Sequence, residues 1–282
     1  MVRRVGRVAA PLAVLLSAVA LGTGPRAGAD ADSLPIVDTH LHYSQNSWDE
    51  YSPEAILAVL DRAGVRRAFV SSTPDDGTVR LYEAAPGRVV PVLRPYRTPG
   101  ELGSWHRDPT VPGYLETRLR RGIYRGIGEF HLRGEEARSA VVQEVTELAT
   151  RNDLFLHCHC DAEAVEVLLG LGRELRVLWA HAGTSSGPDE VGRLVDRYPD
   201  LTVELALRSD VAPGGRLDPA WRALFLRHPD RFMIGTDTWV PSRWGELPAA
   251  QNWTRTWLRQ LPPEGARRIA SENAERLARG GR

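Results

Sequence analysis

The chain contains no lysine: all 36 of its basic residues are arginine. That absence excludes Schiff-base lysine chemistry, a P-loop, and a carbamylated lysine bridging two metal ions. Cysteine is almost as scarce, with only Cys158 and Cys160. Two cysteines make no disulfide framework, and a separation of two along one strand is poor for a bond between them. They read instead as small buried hydrophobes near a site or as soft metal ligands. An excess of positive charge is missing too, since 36 acidic residues balance the arginines. No basic stripe is left for a polyanion, which argues against an extended nucleic-acid partner. Internal repeats and low-complexity linkers are also absent.

The one apolar run near the N-terminus, Val8 to Leu21, is 14 residues long and is interrupted by Pro11 and Ser17. About 20 apolar residues are needed to span a bilayer, so a stable membrane anchor is not expected. Arg3, Arg4 and Arg7 precede the run, and Ala27-Gly28-Ala29 follows it with the small-x-small form of a cleavage site. Residues 1–29 therefore read as a signal peptide, and the protein is expected to be exported, periplasmic or secreted. Removing them takes four arginines and no acid, leaving a net charge of −4 on residues 30–282. Those 253 residues are enough for one α/β barrel.

Short β-branched runs alternate with helical segments along this stretch. Strands are expected at 36–42, 67–71, 89–93, 124–130, 154–159, 176–180, 201–205 and 231–235. Helices are expected at 53–63 with Ser52 as N-cap, 79–85, 114–121, 135–151, 162–171 after Asp161, 188–198, 219–228 after Asp218, 252–261 and 263–278. Eight strands, each followed by a helix, in about 250 residues point to a single-domain (β/α)8 TIM barrel. An open doubly wound sheet would want a glycine-rich turn after strand 1, where two histidines stand instead.

Asp38, His40 and His42 alternate along strand 1 and are expected to share one face. Taken alone, this HxH spacing also fits two hydrogen-bonded, half-buried histidines. The later strand ends carry Glu129 and His131, His157 and His159, His181, and Asp237, so six of the eight histidines lie at such positions. A barrel gathers these ends at one mouth. Nitrogen and carboxylate donors without thiolate dominance suit a divalent cation, zinc first, with manganese or iron in the same geometry. Asp38 reads as a hydrogen-bonding orienter, His131 as a pocket wall, and His106 and His228 as surface residues. Arg94, Tyr96, Arg97, Trp105, Arg133, Arg208, Trp239, Arg243 and Trp244 lie on the loops after the strands, and of these Arg94, Tyr96 and Trp239 are the candidate substrate-binding residues.

The segments VDTHLHY, GIGEFHL, FLHCHCD, LWAHAG and FMIGTDTW, in this order, resemble the metal-dependent amidohydrolase superfamily, and SENAERLA around Asn273 is similar to the end of its amidohydrolase-related branch. The resemblance implies one or two metal ions. It makes His40, His42 and Asp237 ligands of the more buried ion and His157 and His181 ligands of the second, with His159 able to replace His157. It puts Glu129 at the bridging position, and makes Asp237 and His181 the catalytic residues. The implied activity is hydrolysis of an amide, lactone or ester bond in a small molecule by metal-activated water. Non-oxidative decarboxylation is the second enzymatic alternative, and a non-catalytic ligand-binding barrel is the third.

Overall fold

The computed structural model describes Met1 and residues 34–280 apart from residue 173. The signal-peptide expectation falls on residues 1–29 and lies outside the described residues. Strand β1 (Ile36–Leu41) is buried at all six positions, as a parallel strand covered on both faces should be. It is followed by β2 (Val65–Val70), β3 (Val89–Leu93), β4 (Gly126–Leu132), β5 (Phe155–Cys160), β6 (Val177–Trp179), β7 (Leu201–Glu204) and β8 (Phe232–Met233). Each pairs in parallel with the next in sequence order. The ring closes through parallel bridges from Asp38 to Ile234 and from Leu41 to Thr238. This is the expected (β/α)8 barrel.

Helices α1 (Pro53–Arg62), α2 (Asp76–Ala84), α3 (Val111–Leu119), α4 (Ala140–Arg151), α5 (Ala162–Leu171), α6 (Pro188–Arg197) and α7 (Pro219–Arg227) fill the seven crossovers. Helix α8 (Pro241–Leu258) follows β8, and α9 (Pro263–Arg267) and α10 (Asn273–Arg279) end the chain. Their starts follow local chemistry. The Ser52 and Asp161 side chains accept from the amides of Ala55 and Ala164, as predicted N-caps should. Helix α4 starts five residues later than expected because the Ser139 hydroxyl accepts from Val142 and caps it there. Gly64 ends α1 at φ +63, and a Cβ there would stand 2.4 Å from the Arg255 guanidinium.

The largest departure is α8, which starts 11 residues before the expected 252. Pro248 removes one ladder donor inside it. Packing overrides that loss: Trp244, Leu247, Gln251, Thr254, Arg255 and Leu258 recur at helical spacing and are all buried. An apolar cluster that includes Val37, Phe69, Val92, Phe155, Leu178 and Met233 continues into Ala274 and Leu277 of α10. Asn273 holds this plug in place by donating to the carbonyls of Pro229 and Phe232. The polar side chains are thereby confined to the opposite, C-terminal end of the barrel.

Candidate metal centre

Three histidines are oriented by bonds on their Nδ1 side. His40 donates to Glu204 Oε1 at 2.9 Å, His42 to the Ser71 carbonyl at 2.5 Å, and His181 to the Ala206 carbonyl at 3.1 Å. With protons fixed there, their Nε2 lone pairs face inward. His40 Nε2 and His42 Nε2 lie 3.0 Å apart, a repulsive contact unless a cation or a shared proton stands beside them. The Nε2 atoms of His181 and His157 are buried without a hydrogen-bond partner.

Glu129 lies between these rings. Its Oε2 is 3.3 Å from His40 Nε2 and 3.2 Å from His42 Nε2, while its Oε1 is 3.0 Å from His159 Nδ1 and 3.6 Å from His181 Nε2. Asp237 Oδ1 stands 3.5 Å from His40 and 3.2 Å from His42, and its Oδ2 is 3.9 Å from His181. Donor atoms of His40, His42, Glu129 and Asp237 thus converge within one cation's reach, as do those of Glu129, His131 and His159. Imidazole nitrogens and carboxylate oxygens that converge in this way fit a divalent cation.

Charge balance points the same way. Burial alone would lower His40, but the carboxylates of Glu129, Asp237 and Glu204 hold its pKa well above the ordinary value. Burial would raise Glu129 and Asp237, yet His40 and the neighbouring imidazoles pull both below the usual carboxylate range. Glu204 behaves alike and falls to about 2, against its own burial. His131, by contrast, is pushed down to about 4 by burial. Three carboxylates held in the anionic form are thus gathered around these rings, with the Arg94 guanidinium paired with Glu129. His181 and Asp237 also take left-handed backbone angles, φ +56 and φ +51, which non-glycine residues adopt at a cost of about 1–2 kcal/mol each.

On strand 5 it is His159 that faces Glu129, while the ring of His157 lies within one cation's reach of His40 and Glu204. His157 sits deeper, its ring centroid 4.5 Å from that of His40, and burial holds its pKa well below the ordinary value. Asp38 does not share the face of His40. An irregular register in β1 turns its carboxylate to the seam with β8, where it accepts from the amides of His40 and Thr236, from Thr236 Oγ1 and from Gln251 Nε2. Its orienting role stands, and burial raises its pKa to about 6.

Several proposed substrate residues are occupied by the scaffold. Arg94 donates to Glu129 Oε2 at 2.8 Å and to the Glu129 carbonyl. Tyr96 is buried, and its hydroxyl lies 3.1 Å from His131 Nδ1. Trp105 is buried and donates to the His131 carbonyl, Trp244 is core, and Arg97 pairs with Glu101 and Asp108. Arg208 holds the carbonyls of His181, Ala182 and Ser186. Trp239 does stand free on the rim, 49% exposed. His131 has the expected wall position, stacked on His159 at 4.2 Å. His228 pairs with Asp196 at the surface, but His106 is buried beside Trp105 rather than exposed. Cys158 and Cys160, expected to stay unbonded, are joined in a disulfide, their Cα atoms 5.4 Å apart. Strand alternation puts both on the face opposite His159, within disulfide reach.

Glu204 is the residue that sequence reasoning missed. It ends β7 as Asp237 follows β8, so the rule that found the one carboxylate could have found the other.

The amidohydrolase family model matches residues 105–279, a stretch holding Glu129, His159, His181, Glu204 and Asp237. This chain belongs to the amidohydrolase family. The amidohydrolase is therefore a metal-dependent hydrolase of small molecules, and its His, Glu and Asp cluster has the donor set that could hold a divalent ion. Solved structures share its fold. A Pseudomonas putida protein named as a candidate 2-pyrone-4,6-dicarboxylic acid hydrolase superposes with TM-score 0.62 at 15% identity, covering 87% of this chain and 97% of its own. The TatD homologue YjjV of Escherichia coli K12 gives 0.58 at 16%, covering 87% and 98%. An amidohydrolase from Burkholderia multivorans gives 0.56 at 14%, covering 88% and 100%. At such identities the likeness shows the barrel alone. No curated protein matches the sequence.

Proposed function

We propose that this amidohydrolase is an exported enzyme that hydrolyses an amide, lactone or ester bond of a small molecule with two divalent cations, zinc being the first choice. The observation that carries the reading is the carboxylate of Glu129, whose two oxygens face two separate sets of donors. His40, His42 and Asp237 would hold one ion, His159 and His181 the other, with Glu129 shared. His157 would stay behind His40 as packing. A divalent cation there supplies Lewis acidity and makes hydroxide available from water near neutral pH.

The chain's own residues do the rest. Asp237 has a partly exposed carboxylate, 13% accessible, and accepts the proton of the attacking water before returning it to the leaving group. His181 has its Nδ1 held by the Ala206 carbonyl, which leaves Nε2 for the second ion; with a single ion at the other set, that nitrogen would instead orient the scissile carbonyl oxygen. His131, His159 and Trp239 form the wall that the substrate meets first. Export rests on the signal-like residues 1–29. No helix among the described residues is long and apolar enough to cross a membrane.

The test is elemental analysis of the dialysed protein combined with an ester, lactone, amide and carboxylate substrate panel. Between about one and two equivalents of metal, with turnover of at least one of the three hydrolysable classes, is the expected result. Release of carbon dioxide without consumption of water would replace hydrolysis by decarboxylation. Less than about 0.2 equivalents, with no gain of activity or stability on adding zinc or manganese, would remove the metal reading.

A further inference from the structure

A cavity of about 310 Å³ lies between the ends of β7 and β8 and helix α8, which lines it from Arg243 to Trp257. None of the side chains that face the metal centre lines it. Its walls are apolar, including Leu205, Val211, Ile234, Trp253 and Trp257, and Ile234 and Trp257 belong to the outer core. The cavity therefore stands behind the barrel wall rather than over the metal-binding rings.

Two polar groups in this wall lack partners. Trp257 is only 1% exposed, and its indole N–H has no acceptor. Arg243 gives one Nη2 bond to the Thr236 carbonyl, while its Nε is buried with no acceptor. Among the described residues no carboxylate pairs with Arg243. Buried donors of this kind are normally satisfied, because each unpaired one costs about 1–3 kcal/mol. The two donors stand 14 residues apart on α8, about 21 Å along its axis, so one small ligand offers its acceptor to only one of them, and Arg243, which carries full positive charge, calls for an anionic one. A phosphate would bring more oxygens and charge than one guanidinium can satisfy in an apolar cavity. A carboxylate brings two oxygens and one charge, and leaves its hydrocarbon body for the apolar walls.

We propose that this cavity is a second binding site of the protein, taking a small monocarboxylate with an aromatic or compact aliphatic body. Its carboxylate pairs with Arg243, and its body packs against Trp253, Trp257 and Val211. The site borders the catalytic groups without containing them. Arg243 holds the carbonyl just before Asp237, and Arg208, at the same cavity, holds those of His181 and Ala182.

Phenylacetate is a suitable probe, and phenylacetamide is its uncharged isostere. Calorimetric titration of the metal-loaded enzyme with phenylacetate is expected to give saturable binding with Kd on the order of 0.1–1 mM, as such a small ligand allows. Phenylacetamide should bind at least about 10-fold more weakly, and so should phenylacetate to Arg243→Gln. Ala250→Phe, which projects a ring into the cavity from α8, should abolish binding while metal content stays at the wild-type level. Tryptophan fluorescence should change on binding in the wild type and not in Ala250→Phe. Carboxylates also bind metal ions directly, and binding that survives both substitutions would put the probe at the metal centre and overturn the proposal. Absence of saturable heat with the wild type up to about 10 mM would overturn it as well. Neither readout depends on turnover, so its failure is distinct from failure of the hydrolase reading.

Discussion

His40 Nδ1 donates to Glu204 Oε1 at 2.9 Å, and both side chains are fully buried. The carboxylate fixes the imidazole tautomer and makes the opposite nitrogen more basic, as an outer partner of a metal-binding histidine does. Glu204 also accepts from the amides of His181 and Ala206, so one side chain orients the His40 ring and fixes the backbone of His181 and of the turn after β7. Glu204→Gln, which keeps the shape and removes the charge, is expected to lower metal affinity by about 10–100-fold while the fold persists. Competition with a metal-sensitive dye measures this, and unchanged affinity would reject the role.

The same carboxylate sets a pH dependence in the metal-free protein. Its pKa falls from 4.5 to about 2 on folding. A depressed carboxyl stabilises the fold above the unfolded value, and that contribution is lost as pH falls from 4.5 toward 2. The loss amounts to about 3 kcal/mol for this group. Denaturant titrations across this window should show a shallower acid slope for Glu204→Gln than for the wild type.

Asp237 and His40 are expected to separate under mutation. Asp237→Asn keeps an oxygen and nearly the same volume but cannot take a proton. It should retain at least about half its metal while kcat falls by roughly 10²-fold. His40→Ala should lose metal and activity together. Near-normal turnover of Asp237→Asn at full metal occupancy would show that the carboxylate is not the base.

The two strand-5 histidines give opposite expectations. His159→Ala should lower the metal count by about one while leaving stability nearly unchanged, since its side chain is 34% exposed. His157→Ala should retain both ions and instead lose stability, by about 2 kcal/mol or more, because it opens a cavity beneath His40. Anomalous diffraction from metal-saturated crystals and thermal denaturation together decide it. Loss of an ion in His157→Ala alone would restore the deeper residue as ligand.

Arg94 and Glu129 form a buried pair whose cost depends on the metal. Arg94→Met preserves the length of the stem but leaves the carboxylate without its fixed cation. In the metal-free protein the variant should be less stable by about 3–5 kcal/mol. Saturating metal should reduce that difference, since bound cations then neutralise Glu129. Equal destabilisation in both forms would mean that no cation reaches this carboxylate.

The barrel was legible because its signals are local and repeated. Ser52, Asp161 and Asp218 cap their helices where their side chains predict, and β3 has the expected limits. Helix α8 was not legible, since Pro248 and the polar residues around Gln251 conceal a buried face that only tertiary packing defines. The histidines could be assigned to one mouth from strand-end position alone. The order of His157 and His159 could not, because a strand's period of two puts both on the same face and depth is set by register with β4. The arginine loops failed for a different reason. In a chain without lysine, arginine supplies every internal cation, so Arg94 and Arg208 serve the scaffold before any substrate.

The seam between β8 and β1 is the sparsest joint of the ring, with a two-residue strand closed by isolated bridges. Helix α8 spans it like a strap. Gln251 is tied to Asp38 near the mouth, and Arg255 is tied to Leu34, Ala63 and Gly64 toward the far end. His40 stands on one lip of this seam and Asp237 on the other, joined by the bond from the Asp237 amide to the His40 carbonyl. An ion held by both lips would act as a rivet across the seam. Amide exchange at the seam should accordingly be slower in the metal-loaded protein than in the metal-free one.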